Sequence, residues 1–280
     1  MRKPAVAGSW YAGSADSLRR QIEGCFLHPL GPGALPGEPG EKERNIMGLV
    51  SPHAGYAFSG PVAAHGFLQL AKECKPETIV ILGPNHTGLG AYVAVSAEDT
   101  WRTPLGDVEL DNEVGEAIVA ASRWAEWDDL AHKNEHSIEL QLPFLQYTYG
   151  FGFKVVLVAM MRQNLDVSQE LGGAIARALR DKNGIIIASS DFTHHEPHDS
   201  ASKKDHLALE AIIDLHPERL AEVVDNYRIS TCGPGPVIAM LTACRQLGAK
   251  TARLLRYADS GDITGDYHRV VGYASVSVSA

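Results

Sequence analysis

The sequence has few cysteines and no excess of positive charge, and each shortage argues against a class of protein. Its four cysteines lack the spacing of a disulfide framework, which indicates a reducing, cytoplasmic environment. Aspartate and glutamate number 34 against 25 lysine and arginine residues, for a net charge of −9. This balance argues against nucleic acids and membrane surfaces as general partners, because both attract basic patches.

Long apolar runs are also absent. No stretch approaches the roughly 18 residues that a membrane-spanning helix needs, and Val155–Met161 is typical of the longest. The first residues lack the apolar segment of a signal peptide. Neither the Gly-x-Ser-x-Gly turn of α/β hydrolases nor a glycine-rich phosphate loop of the usual spacing occurs, so a serine hydrolase is poorly supported.

The sequence does contain short β-branched runs that alternate with segments of helical periodicity. This alternation predicts an α/β fold, with one domain over residues 1–280 and a central mixed, largely parallel sheet flanked by helices. A polar connection is expected from Trp101 to Asp107, and a short helix over 137–145. The main strands are expected at 47–50, 78–82, 154–160, 184–189 and 270–278.

Two of the predicted strands run directly into a Gly/Pro loop that carries a histidine. His53 follows the first strand and His86 the second. Ligands of open α/β sheets bind at the carboxyl ends of the strands, so we expect both histidines to meet Cys232 there. Imidazole and thiolate donors suit iron, copper or zinc, and the helix predicted after Cys232 should lower the pKa of its thiol. The alternatives are turn histidines and an inert buried cysteine.

Another predicted strand end, at 184–189, is followed by Asp191 and His194. A histidine near its ordinary pKa moves protons at neutral pH, so His194 is a candidate acid–base catalyst. Asp191 would orient it or add a ligand, unless it only caps the following turn. Glu135 and His136 are predicted to open a helix, where a carboxylate suits the helix dipole. A pocket role for His136 is the alternative.

Several segments between Ala5 and Ser275 form a recognisable pattern, which covers nearly the whole chain. They are Ala5–Tyr11, Ser51–Gly60, Leu82–His86, Glu135–Leu145, Ser189–His194, Cys232–Pro234 and Val271–Ser275. Together they resemble the Memo family, whose microbial members are also called AmmeMemoRadiSam system protein B. The Pro/Gly-rich loop near residues 31–40 differs in length and touches none of these segments.

The resemblance implies the fold of class III extradiol dioxygenases and a non-haem iron pocket. Carried over by position, His53, His86 and Cys232 are the metal ligands, with a cysteine where the dioxygenases use a carboxylate. His194 then takes the place of their acid–base histidine, with Asp191 beside it. His136 takes the place of their second pocket histidine.

The same resemblance assigns Trp10, Tyr11 and Glu135 to the substrate pocket, with simple packing as the alternative for the two aromatic residues. A redox enzyme that acts on a small molecule with Fe(II), or with copper or zinc, is the first expected function. The alternative is a non-catalytic module that holds a metal or an anionic, phosphotyrosine-like peptide group. Metal-assisted hydrolysis is a third interpretation. The family's compound name also implies a functional link to radical-SAM and AMMECR1-like proteins.

Overall fold

The apolar runs of the sequence form the strands of one mixed sheet, and the periodic segments form helices on its two faces. The computed structural model describes residues 1–280. Its strands, numbered in chain order, are β1 (Ile46–Ser51), β2 (Thr78–Pro84), β3 (Val93–Val95), β4 (Thr100–Thr103), β5 (Gly106–Leu110), β6 (Ala125–Trp127), β7 (Lys154–Met160), β8 (Gly184–Ser189), β9 (His194–Glu196), β10 (Thr251–Asp259) and β11 (Val270–Ser279).

The helices fall between these strands, mostly as the sequence predicts. None of them is both long enough and apolar enough to cross a membrane. They are α1 (Ala15–Leu27), α2 (Gly60–Leu70), α3 (Asn112–Ala121), α4 (Gln141–Tyr149), α5 (Leu165–Ala178), α6 (His198–Ile213), α7 (Pro217–Tyr227), α8 (Pro234–Gln246) and α9 (Ser260–Thr264).

Four central strands run parallel and so share one carboxyl edge. The sheet order is β10-β11-β1-β8-β2-β7-β3-β6, in which β1, β8, β2 and β7 form three parallel pairs. Antiparallel strands lie on either side, because β11 pairs with β1 and β10, and β3 pairs with β7. The predicted fold class, a mixed and largely parallel sheet flanked by helices, is confirmed.

Alternate side chains of the central strands enter two separate cores. On β2, Ile79 and Ile81 pack with residues of α1, α2 and α4, whereas Val80 and Leu82 pack with residues of α3, α5 and α8. Every residue of β2 is buried. A strand covered on both faces needs an apolar residue at almost every position, which explains the continuous apolar runs of the sequence. The loops after these strands therefore start from rigid positions.

The stretch from Trp101 to Asp107 belongs to a β-hairpin, so the prediction of a polar connection is wrong. β4 pairs antiparallel with β5, with Trp101 opposite Val108 and Arg102 opposite Asp107. Trp101 is fully buried, and the guanidinium of Arg2 lies 4.0 Å from its ring centre. The Trp101 indole ring thus faces the core beneath Arg2. A contact between residues so far apart in the sequence cannot be predicted from the residues around Trp101.

Helix α4 begins at Gln141, later than predicted, and Glu135 and His136 do not open it. The Glu135 carboxylate instead accepts the backbone N–H groups of His136 and Ser137, at 2.9 Å each. The Ser137 hydroxyl donates to the carbonyl of Pro84 at 2.9 Å. These bonds hold residues 135–137 as a turn against the end of β2.

His132 should make the fold sensitive to acid. Its Nε2–H donates to the Ala94 carbonyl at 3.0 Å, and burial lowers its pKa from 6.5 to about 4. As the pH falls, His132 is therefore protonated in the unfolded chain before it is protonated in the folded one. The stability that neutral His132 contributes above pH 6.5 is lost as the pH falls toward 4. Urea denaturation at pH 7.5 and at pH 5 measures how much free energy of unfolding is lost between the two. We expect this loss to be smaller in His132→Gln than in wild type, by about 2 kcal/mol. The exposed control His216→Gln should leave that loss unchanged, and an unchanged loss in His132→Gln would contradict the prediction.

Candidate metal centre

Three strand ends place a candidate site residue at the same distance beyond the sheet. His53 lies two residues after β1, Asp191 two after β8 and His86 two after β2. Ser51 pairs in register with Ser189, so His53 and Asp191 leave the sheet side by side. The Asp191 carboxylate accepts the backbone N–H of His53 at 2.7 Å. These residues therefore lie together at the carboxyl edge of the parallel strands, where ligands of such sheets bind.

The side chains of His53, His86 and Cys232 converge at this edge. One donor atom from each lies within 4.8 Å of the other two. The Cys232 Sγ is 3.2 Å from the His53 Nε2, and the two imidazole centres are 5.3 Å apart at 74°. The structure thus brings together the three residues that the sequence predicts as metal ligands.

Hydrogen bonds fix the tautomer of His53. The Ser189 hydroxyl donates its single hydrogen to the Ser137 carbonyl at 2.7 Å and accepts the Gln141 side-chain N–H at 2.8 Å. The His53 Nδ1, 2.8 Å from the same oxygen, must therefore carry a hydrogen and donate it. Burial lowers the pKa of His53 well below its usual value, and neighbouring imidazoles lower it further. A neutral ring remains, and its Nε2 lone pair, which faces the Cys232 Sγ, is the atom that would bind a metal.

Glu135 fixes the tautomer of His86 in the same sense. Its carboxylate accepts the His86 Nδ1–H at 2.9 Å and the His86 backbone N–H at 2.6 Å. Although burial opposes ionisation, hydrogen bonds from His86 and Ser137 lower the pKa of Glu135 to about 2. Glu135 is therefore a carboxylate at neutral pH and can only accept. In His86, as in His53, Nε2 is therefore the ring nitrogen that would bind a metal.

His86 also belongs to a second group of converging donors, with Glu135 and His136. Two imidazoles and a carboxylate match the ligand set of many non-haem iron sites. Here, however, the fully buried carboxylate already accepts the two N–H groups of His86 and the backbone N–H groups of His136 and Ser137. The group of His53, His86 and Cys232 has the freer donor atoms.

The Cys232 thiol is held in its protonated form. Burial raises its pKa well above the usual value, and the nearby Asp191 raises it further. The predicted helix does follow at once, since α8 begins at Pro234, but burial of the thiol outweighs it and the expected lowering of the pKa is wrong. Burial also raises the pKa of Asp191 to about 6. A metal that binds here must displace the thiol proton.

His194 lies half-buried at the start of β9 and has one free ring nitrogen. Its Nδ1 is 2.8 Å from the Ser230 carbonyl and must donate to it. Its Nε2 is consequently the atom able to accept a proton. Asp191 makes no hydrogen bond to this ring and instead holds the backbone of His53. The carboxylate therefore positions the His53 loop rather than the imidazole of His194.

An aromatic wall covers one side of the site. Trp10, 37% exposed, packs on His136 with ring centres 4.2 Å apart, and His136 stacks on His86 at 4.5 Å and 16°. Tyr11 lies elsewhere, because it is buried in the core and its hydroxyl donates to Glu139 at 2.7 Å. Trp10 and His136 thus lie where a pocket wall is expected, whereas the position of Tyr11 favours the packing alternative.

The residues that support the proposed ligands are those that the sequence does not predict. The sequence predicts no role for Ser189 or Gln141, and the family resemblance implies a substrate contact for Glu135 rather than a contact with His86. Ser189 ends β8, directly beside the strand that leads to His53, so a hydroxyl at that position was the available signal. Gln141 offered none, because its partners are Pro52, which follows β1, and Ser189 of β8, both far away in the sequence.

Glu135→Gln should weaken metal binding without removing a ligand. The amide nitrogen cannot accept the N–H groups that Glu135 now accepts, so His86 loses its fixed orientation and tautomer. Changes of this kind typically cost about 10–100-fold in metal affinity. Competition with a calibrated chelator measures the change, and the exposed Glu126→Gln serves as a control that should bind like wild type. Equal affinity in Glu135→Gln and Glu126→Gln would show that Glu135 does not orient His86 for a metal.

Comparisons with known proteins place this chain in a family. The family model described as Memo-like protein matches residues 2–277. A MEMO1 family protein of Methanopyrus kandleri is 50% identical over 277 residues, which cover 98% of each chain. A MEMO1 family protein of Methanocaldococcus jannaschii is 49% identical over 286 residues, with 99% of each chain covered.

A solved structure shares the fold at much lower sequence similarity. The crystal structure of an uncharacterized protein from Escherichia coli matches with a TM-score of 0.59 and 15% identity. It covers 83% of this chain, and 99% of the other chain is covered. The full-length match to the family model and to close relatives establishes that the chain belongs to the Memo family.

Proposed function

We propose that this chain is a dioxygenase-like, non-haem metalloprotein that carries out redox chemistry on a small molecule. The proposal rests on the convergence of His53, His86 and Cys232, with the Nδ1 atoms of both imidazoles already engaged. Fe(II) is the metal that we propose first, with copper or zinc as alternatives, because imidazole and thiolate ligands suit all three. When bound, Fe(II) would supply an open coordination position for substrate and an electron source.

The remaining site residues have distinct proposed roles. His194 would accept a proton from the substrate at Nε2, because its Nδ1–H is committed to a backbone carbonyl. Asp191 would hold the His53 loop in place. His136 and Trp10 would form the wall against which a planar substrate packs and from which water is excluded.

A binding module that holds a metal or an anionic peptide group is the second candidate. One observation favours it: the nearby carboxylates of Glu135 and Asp191 are tied to backbone N–H groups, which leaves the thiol of Cys232 as the third donor. A thiolate alters the redox behaviour of iron and can itself be oxidised. A cytoplasmic location and a functional link to radical-SAM and AMMECR1-like proteins are proposed under either function.

Anaerobic purification followed by metal analysis tests the proposal. We expect about one equivalent of iron, copper or zinc per chain, as purified or after reconstitution. Oxygen consumption with a panel of catechol-type substrates then separates the two candidates. Metal binding without oxygen uptake across the panel would favour the binding module, and a protein that takes up none of the three metals would contradict both forms of the metal site.

A further inference from the structure

The fourth strand of the parallel group, β7, is followed by a charged residue. This residue lies at the same distance beyond its strand as the site residues do beyond the other three. Arg162 lies two residues after β7, as His86 lies two residues after β2. Pro84 and Met160, the last residues of these two strands, are paired in register. Arg162 and His86 therefore leave the sheet at the same level of its carboxyl edge.

Hydrogen bonds tie the loop of Arg162 to the loops of two proposed metal ligands. The backbone N–H of Asn85, which precedes His86, donates to the carbonyl of Met160 at 2.9 Å. On the other side, the Gln163 side chain donates to the carbonyl of Cys232 at 3.0 Å. Arg162 thus lies in a loop that is anchored on both sides to the metal centre.

The guanidinium of Arg162 is held in place by aromatic rings and by no carboxylate. It lies 4.6 Å from the ring centre of Trp124 and 5.8 Å from that of Tyr92. Its backbone N–H donates to the carbonyl of Tyr92 at 3.1 Å. Arg162 is exposed and takes part in none of the ion pairs of the chain. These contacts with the ring faces use none of the guanidinium N–H groups, which remain available to a ligand.

We propose that Arg162 anchors a subsite for an oxyanion, a carboxylate or phosphate group, on the small molecule that reaches the metal centre. The fork of guanidinium N–H groups matches two oxygens of such a group, and a stacked arginine loses little freedom when it binds. The proposal builds on the proposed function, since it assigns an anionic group to the substrate. The carboxyl edge of the sheet then recognises a ligand at two places, through the metal at one end and through Arg162 at the other.

Binding of small aromatic probes to the metal-free protein tests the subsite separately from the metal. Benzoate and phenyl phosphate carry the two candidate oxyanions, and benzamide is a neutral analogue of benzoate. Titrations followed by NMR should give wild type an affinity for the better anion about ten-fold above that for benzamide. Arg162→Gln should abolish this preference, and Arg162→Lys should retain only part of it. Arg102→Gln is the matched control, because Arg102 is already paired with Asp107 through two hydrogen bonds.

Two results would overturn the subsite: equal affinity of wild type for all three probes, or an unchanged preference in Arg162→Gln. Metal uptake by Arg162→Gln should equal that of wild type, which verifies that the variant folds. A wild type that binds no metal but prefers the anions would contradict the proposed function and support the subsite. A wild type that binds metal without preferring the anions would support the proposed metal site and contradict the subsite.

Discussion

Cys232→Ser is expected to lower the affinity for iron, copper or zinc by at least about 100-fold, more than the loss expected when only a supporting residue is changed. The Sγ is 3.2 Å from the His53 Nε2, so both atoms face the same position. Serine keeps the size of the side chain but replaces a soft thiolate with a hydroxyl that stays protonated at neutral pH. His53→Ala should cause a loss of similar size, because it removes a neutral imidazole whose tautomer is already set. Metal per chain after dialysis against a weak chelator measures both effects.

Cys74→Ser is the matched control for the thiol. Cys74 is a free cysteine outside both groups of converging donors, and its variant should retain all of the metal. Wild-type affinity should also rise with pH, because burial raises the pKa of the Cys232 thiol and binding must release that proton. Equal metal content in Cys232→Ser and Cys74→Ser would remove Cys232 from the ligand set.

The strands and the two histidines among the proposed ligands were predictable for the same physical reason. A strand buried on both faces, such as β2, must be apolar along its length, and the loop after it must leave the sheet at the carboxyl edge. His53, His86 and Asp191 could therefore be grouped from the sequence by their distance from an apolar run. Arg162 follows the same rule after β7, but a guanidinium is not a metal ligand, so metal-binding chemistry does not single it out.

Residues that act through tertiary contacts were not predictable. The role of Glu135 depends on a turn that packs against the end of β2, and the same residue would suit a helix N-terminus equally well. The burial of Trp101 depends on Arg2, which lies far away in the sequence. The pKa of Cys232 is set by the depth of the thiol, which outweighs the nearby helix end that the sequence does reveal. In each case local pattern and tertiary environment point in different directions, and the environment decides.

Glu139→Gln is expected to be the most destabilising conservative substitution proposed for this chain, at about 3–5 kcal/mol. The fully buried Glu139 carboxylate pairs with the Arg2 guanidinium and accepts the backbone N–H groups of Ala5 and Val6, at 2.8 and 3.1 Å. It also accepts the Tyr11 hydroxyl at 2.7 Å. A glutamine has one acceptor oxygen in place of two, and its NH₂ group would face donors. The buried Arg2 would also lose its counter-charge, and a buried charge without a partner is costly.

Urea denaturation at pH 7.5 measures this loss, with Glu113→Gln as the control. Glu113 forms an ion pair with Lys182 but its side chain is 83% exposed, so its substitution should cost less than about 1 kcal/mol. The four groups that donate to the Glu139 carboxylate all lie between residues 2 and 11. The same segment contains Trp10, which packs on His136. Loss of this anchor should therefore loosen the wall beside the metal centre as well as the fold. A cost for Glu139→Gln no larger than that for Glu113→Gln would mean that other contacts hold this segment in place.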